Sequence, residues 1–192
     1  MVSIRDISIA LYGVWRLASL DRAGADLFDN TAAAFWKSFN AAWLAFPAYA
    51  LLVLLSFAHH PVDAGPLRVL SVELIAYVIG WVLFPLVMIA FTDTVKADRN
   101  YFRFITAWNW AIVLQAYLFL AVSAFSASGT VPDSLGGLIS LIATFAIFFY
   151  QGYIARTVLD VTTPVAVMIV VIDLLIAIGL SLVSRSLYLS VA

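Results

Sequence analysis

One carboxylate stands in the middle of an otherwise apolar run, PVAVMIVVIDLLIAIGLSLVS, from Pro164 to Ser184. Asp173 lies about nine residues into that run, roughly 14 Å along a helix and close to the middle of a hydrocarbon core about 30 Å thick. An aspartate at that depth costs about 2.5–3.5 kcal/mol on insertion scales, so it needs polar company. Gln115, about 11 residues into a run from Phe104 to Phe125, and Thr144, about 11 residues from the inner end of a run from Leu135 to Ala155, fall at nearly the same level. The three groups are expected to meet. The chemistry open to them is binding of a proton or cation at the midplane. The alternative is a neutral aspartic acid, hydrogen-bonded to Gln115 or a hydroxyl, that holds helices together. Ala166, Ala177 and Ser184 lie within about 40° of Asp173 on a helical wheel, a small-residue face suited to packing. No Lys or Arg accompanies Asp173 deep in any run, and no inverted repeat is visible, which favours the structural alternative.

Two other groupings bear on chemistry. Asp93, Lys96, Asp98, Arg99 and Arg103 form a mixed cluster, joined on the same side by Arg156 and Asp160. Lys96, Asp98, Arg99, Arg103, Arg156 and Asp160 are candidates for docking a protein partner or lipid headgroups; the alternative is a solvated turn with ion pairs worth under about 1 kcal/mol each. His59 and His60 are adjacent, with Asp63 nearby, but neighbouring helical side chains point about 100° apart. The chain has no third histidine and no cysteine, so a metal or haem site would need a second subunit; no metal and no cofactor is expected. GxGxxG, Walker, HExxH and GxSxG patterns are absent. An aspartyl pair would need a second deep acid, whereas Glu73 sits only about six residues inside its run and reaches the interface. Catalysis is not expected.

The elements that must position these groups follow from composition. With 65% apolar residues, 11% charged residues and a mean hydropathy of +1.06, the 192-residue chain is built for a lipid bilayer. A net charge of −1 leaves no basic stripe for nucleic acid. The expected fold is all-α, a bundle of five transmembrane helices within residues 32–192, at about 39–58, 67–91, 104–125, 135–155 and 164–184, with Pro47 and Pro85 as interior bends. Trp36, Phe39, Trp43 and Phe46 have the spacing of an interfacial aromatic belt. Residues 1–31 form a separate N-terminal segment, in which 3–20 make an amphipathic helix with Ile4, Ile7, Leu11, Val14 and Ala18 on one stripe. That helix either lies among headgroups or packs on the protein's own spans or a neighbouring subunit, and its nearly cancelling charge favours packing. Asp29, Asn30 or Thr31 is expected to cap the helix that follows.

Alternate ends of the five runs divide the Lys and Arg residues unevenly. Arg5, Arg16, Arg22, Lys37, Lys96, Arg99, Arg103 and Arg156 fall on one side, Arg68 and Arg185 on the other. Positive charge is retained in the cytoplasm, so the N-terminus is expected there and the C-terminus outside it, in a multi-pass inner-membrane protein.

An N-terminal segment, five closely spaced spans, a short outer C-terminus and the polar stretch DLFDNTAAAFWKSF, 26 to 39, leading into the first span resemble the layout of the Yip family of small membrane proteins. The resemblance implies association with partners in the membrane, as eukaryotic members are associated with Rab-type GTPases and early secretory traffic. The family's DLYGP-type signature is not present, the nearest stretch being ADLFDN, so no functional residue is carried over. The expected function is a non-catalytic scaffold, assembly or partner-docking protein whose N-terminal helix and cytoplasmic loops engage a protein partner or its own oligomer. Its rival is a small transporter or channel using Asp173, Gln115 and Thr144.

Overall fold

The computed structural model describes residues 2–59 and 64–189, and every regular element among them is a helix. In chain order these are α1 (Ile4–Ala18), a 3-10 turn at Arg22–Leu27, α2 (Ala32–Ser38), α3 (Ala41–His59), α4 (Pro66–Thr94), a 3-10 turn at Asp98–Asn100, α5 (Tyr101–Ala127), α6 (Asp133–Val158) and α7 (Thr163–Leu189). Five segments are long and apolar enough to cross a membrane: Ala32–Ala58, Pro66–Thr94, Asp98–Ala127, Ser134–Val158 and Thr163–Tyr188. They are the five expected runs, lengthened at one or both polar flanks. A helix that ends where apolarity ends would leave carbonyls and amides without partners, so the backbone continues beyond it.

The first of these segments is broken. Its two helices part at Phe39 and Asn40, where the Asn40 side chain donates to the Lys37 carbonyl at 2.9 Å and its backbone N–H reaches the same oxygen at 3.1 Å. Pro47, expected as an interior bend of the first run, lies inside α3, and the break falls ahead of it. A carboxamide that competes for the closing carbonyl of α2 ends the helix more effectively than a proline whose neighbours can remain helical. Thr31 is the cap, accepting from the Ala34 N–H at 3.1 Å. Asn30 acts at longer range. It donates to the Arg99 carbonyl at 2.7 Å and accepts from the Arg103 N–H at 3.1 Å, tying the approach to the first segment to the start of α5. His60 and Asp63 lie outside the described residues.

Helix α5 is the common neighbour. It packs against α1, α2, α3, α4 and α6, whereas α7 rests on α4 and α6. Phe104, Ile105, Ala107, Trp108 and Ala111 of α5 are buried, and the Trp108 ring stacks on Phe84 of α4 with centroids 4.6 Å apart. The outward faces of the long helices are mostly Leu, Ile, Val and Phe, as suits helices apolar enough to cross a membrane. Trp36 and Trp43 are exposed, while Phe39 turns partly into the core. Tyrosine hydroxyls join the elements through backbone carbonyls: Tyr77 to Ala42 at 2.6 Å, Tyr101 to Pro85 at 2.9 Å and Tyr117 to Leu44 at 3.1 Å.

Helix α1 lies across α5 and α6, opened by a capping box between Ser3 and Asp6. Its buried face is Ala10, Gly13, Val14 and Leu17. Ile4 and Ala18, expected on the buried stripe, are exposed, as are Tyr12 and Trp15. The rotation follows from a close approach. A Cβ on Gly24 of the 3-10 turn would lie 2.7 Å from the Gly13 carbonyl oxygen, so the turn seats itself on the glycine face of α1. Tyr150 then donates to the Val14 carbonyl at 2.8 Å and Tyr153 to the Leu20 carbonyl at 2.7 Å. Arg16 and Asp21 close the corner at 2.6 Å. The hydrogen bond from Arg16 holds the Asp21 carboxyl below its ordinary value, and the same bond raises the guanidinium. A depressed carboxyl contributes above its unfolded value of about 3.9 and loses that contribution as the pH falls through the folded value.

Gly24→Ala is therefore expected to destabilise the α1 corner by about 1–3 kcal/mol, because the obstacle is backbone rather than a movable side chain. Thermal unfolding in an uncharged detergent should show a lowered midpoint for Gly24→Ala and an unchanged one for Gly65→Ala, whose new methyl meets nothing within 4 Å. Equal midpoints would show that the glycine contact does not hold α1.

Candidate functional site

The level of Asp173 is built by three helices. From α6, Gln151 donates through Nε2 to Asp173 Oδ2 of α7 at 3.0 Å and to Gln115 Oε1 of α5 at 3.4 Å. Gln151 is 5% exposed, which places the bond in the packed interior. Both of its N–H groups are thus used, while its own carbonyl oxygen is buried and meets no donor. Asp173 and Gln115 are half-buried beside it.

The structure brings Asp173 and Gln115 to one place and leaves Thr144 out. The Thr144 hydroxyl donates to the Ser140 carbonyl of its own helix at 2.9 Å. Gln151 takes its position in the layer. The two residues are seven apart, so they share a helix face about two turns, or about 10 Å, from each other. Counting residues from Ala155 thus selects the right face of α6 at the wrong depth, because such a count treats the helices as parallel rods of equal length. The signal for Gln151 in the sequence is that it is the remaining carboxamide of that run, set between Tyr150 and Gly152. On α7, Ala166 and Ser184 are buried as the small-residue face requires, whereas Ala177 is exposed and lines a crevice toward α4.

The six docking candidates divide. The turn after α4 and the turn after α6 lie side by side, joined by Asn100 Nδ2 to the Leu159 carbonyl at 3.4 Å. Between them is a cleft of about 210 Å³ whose lining includes Lys96, Arg99, Asp160 and Thr162. Lys96 and Asp160 both hold left-handed backbone, with φ of 59° and 61°, as residues that reverse the chain after a helix. Asp98 and Arg156 are exposed outside this cleft, Arg156 at the mouth of an apolar groove between α6 and α7. Arg103 is half-buried, and its Nε has no hydrogen-bond partner. Among the described residues the ion pairs are Arg16 with Asp21 and Lys37 with Asp6. Ion pairs within the cluster, its alternative reading, do not form among the described residues; Lys96, Asp98, Arg99, Arg156 and Asp160 are exposed, whereas Arg103 is half-buried.

No family model, curated protein or solved structure matches this chain.

The amide layer leads to a quantitative expectation. Hydrogen bonds between membrane helices average about 0.6 kcal/mol and rarely exceed about 1.7 kcal/mol. A double-mutant cycle of Gln151→Leu and Asp173→Leu, read by unfolding in mixed micelles, should give a coupling in that range. Thr144→Val should couple to neither. A Thr144 coupling equal to that of Gln151 would overturn the assignment of the layer.

Proposed function

We propose that this chain is a non-catalytic, multi-pass membrane protein that serves as a docking or assembly scaffold. The observation that carries the reading is the paired turn, in which two loops are hydrogen-bonded side by side and present Lys96, Arg99 and Asp160 with no ion-pair partner among the described residues. Charges left free on an ordered surface suit an interface whose specificity comes from complementary charge. The eight-to-two division of Lys and Arg supports a cytoplasmic position for this face and for the N-terminus, with the bundle held in a cell's inner membrane. A docking role is also what the Yip-like layout implies, with a protein partner or a second copy as occupant.

The N-terminal helix is a poor docking arm in this reading, since Val14 and Leu17 are already used in the core. Deleting it would test folding. The informative variant is Lys96→Glu with Arg99→Glu in the full chain, purified from its own membranes with quantitative mass spectrometry of what accompanies it. A stoichiometric partner should fall by about tenfold or more, equivalent to about 1.4 kcal/mol, with the unfolding midpoint unchanged. Recovery equal to the parent's would sink the proposal.

A second reading, a small transporter, is favoured by one observation: the orphan carbonyl of Gln151 beside Asp173. Asp173→Asn separates the two. A scaffold keeps its partner with the amide in place, whereas a proton- or cation-coupled carrier remains folded and loses flux in proteoliposomes.

A further inference from the structure

Glu73 lies on α4, away from both groupings above. Its carboxylate is spread between two phenols: Tyr49 of α3 donates to Oε2 at 2.8 Å and Tyr188 of α7 to Oε1 at 3.4 Å. Both carboxyl oxygens thus face phenol hydroxyls, and the one Tyr49 hydrogen is shared with the Glu73 backbone carbonyl at 3.2 Å. Yet no ion pair reaches Glu73 among the described residues. Arg68, earlier on α4, donates instead to the Leu187 carbonyl. With neutral hydrogen-bond donors and no ion pair among the described residues, the Glu73 carboxyl is open to a counter-ion from outside.

The space beside it has a definite chemistry. A crevice of about 480 Å³ between α4 and α7 is lined by Glu73, Tyr49, Tyr77 and Trp81, with Ala177 and Ser181 across from them. Gly80 leaves that wall low: a Cβ there would meet only the Leu180 side chain, at 3.6 Å. The rings are in series, Tyr49 to Tyr77 at 4.6 Å and Tyr77 to Trp81 at 6.0 Å between centroids. Aromatic faces attract cations, Trp most strongly, and more so where water is excluded. A hard metal ion would want several oxygen ligands in a tight shell, which one carboxylate and a row of rings do not supply. A bulky cation whose charge is wrapped in hydrocarbon suits all the walls at once.

We propose that this crevice is a binding site for a lipophilic quaternary cation, with Glu73 as counter-ion and Tyr49, Tyr77 and Trp81 as the aromatic wall. The same chemistry is available from a free organic cation or from the choline headgroup of a lipid entering sideways. Neither source depends on the docking face.

The test is equilibrium binding of radiolabelled tetraphenylphosphonium to the full chain in an uncharged detergent, with neutral triphenylphosphine oxide as competitor. Saturable binding that the neutral compound does not displace is expected. Glu73→Gln, whose amide oxygen accepts from one tyrosine while its NH2 donates to the hydroxyl of the other, should weaken it by at least about tenfold, and Trp81→Leu by several-fold. Asp173→Asn should bind as the parent does, and each variant's elution on gel filtration checks that it is folded. Added phosphatidylcholine that displaces the probe assigns the site to a headgroup; failure to displace it assigns the site to a free cation. No saturable binding by the parent, or equal binding by a folded Glu73→Gln, overturns the proposal.

Discussion

In a medium without water, a phenol O–H must find an acceptor within the protein, and a helix carbonyl already bonded along its own axis still has a second lone pair to offer. This structure is assembled on that match. Six of the eight tyrosines reach a backbone carbonyl on another element: Tyr49 to Glu73, Tyr77 to Ala42, Tyr101 to Pro85, Tyr117 to Leu44, Tyr150 to Val14 and Tyr153 to Leu20. Each such bond is individually worth about 0.6 kcal/mol. Their effect is in direction and spacing. A tyrosine is long and has few rotatable bonds, so two helices joined this way are set at a fixed separation. Neighbouring carbonyls lie about 1.5 Å apart along the axis, so which of them is reached also fixes how far one helix has slid past the other.

Around this frame, α5 takes the place that a hydrophobic core takes in water. Against lipid tails, which are as apolar as leucine, burial alone would give α5 no reason to attract five neighbours. Shape does. Ala107 and Ala111 let helices come near, Trp108 fills the space beside them against Phe84, and Asn109 donates to Ser38 at 2.8 Å where the first segment is broken. The break and the bond belong together. Ser38 ends α2 with its own hydroxyl on the Phe35 carbonyl at 2.7 Å, and Asn109 completes the set from the helix next door.

The five long helices and the amphipathic first helix are legible in the residues because both depend on one-dimensional patterns, a run of apolar residues and a stripe. What is not legible depends on where two patterns meet. The break at Asn40, ahead of the expected bend at Pro47, is not legible because it turns on one side chain's reach to one carbonyl. Gln151 rather than Thr144 partners Asp173 because depth along α6 is set by the packed helices and not by counting residues from an assumed boundary. The face of α1 differs for a similar reason. Gly13 carries no apolar weight on a helical wheel, yet it admits the Gly24 turn and so decides which way Tyr12 and Trp15 point. Of the charged cluster, composition discloses the members, but the cleft between Lys96, Arg99 and Asp160 exists only because two turns distant in sequence are joined by Asn100.

Helix α7 touches α4 and α6 and follows both in chain order. During synthesis the chain emerges from its N-terminal end, so α5 arrives after four of the helices that lean on it, and the α7-facing side of α4 stays bare until α7 comes. Two polar contacts wait for that moment: Gln151 for Asp173, and Glu73 for Tyr188. A nascent chain that stops after α6 therefore displays an unsatisfied amide and a half-caged carboxylate to the surrounding lipid. The seventh helix is a latch, closing over two polar groups that the preceding helices alone leave incompletely paired.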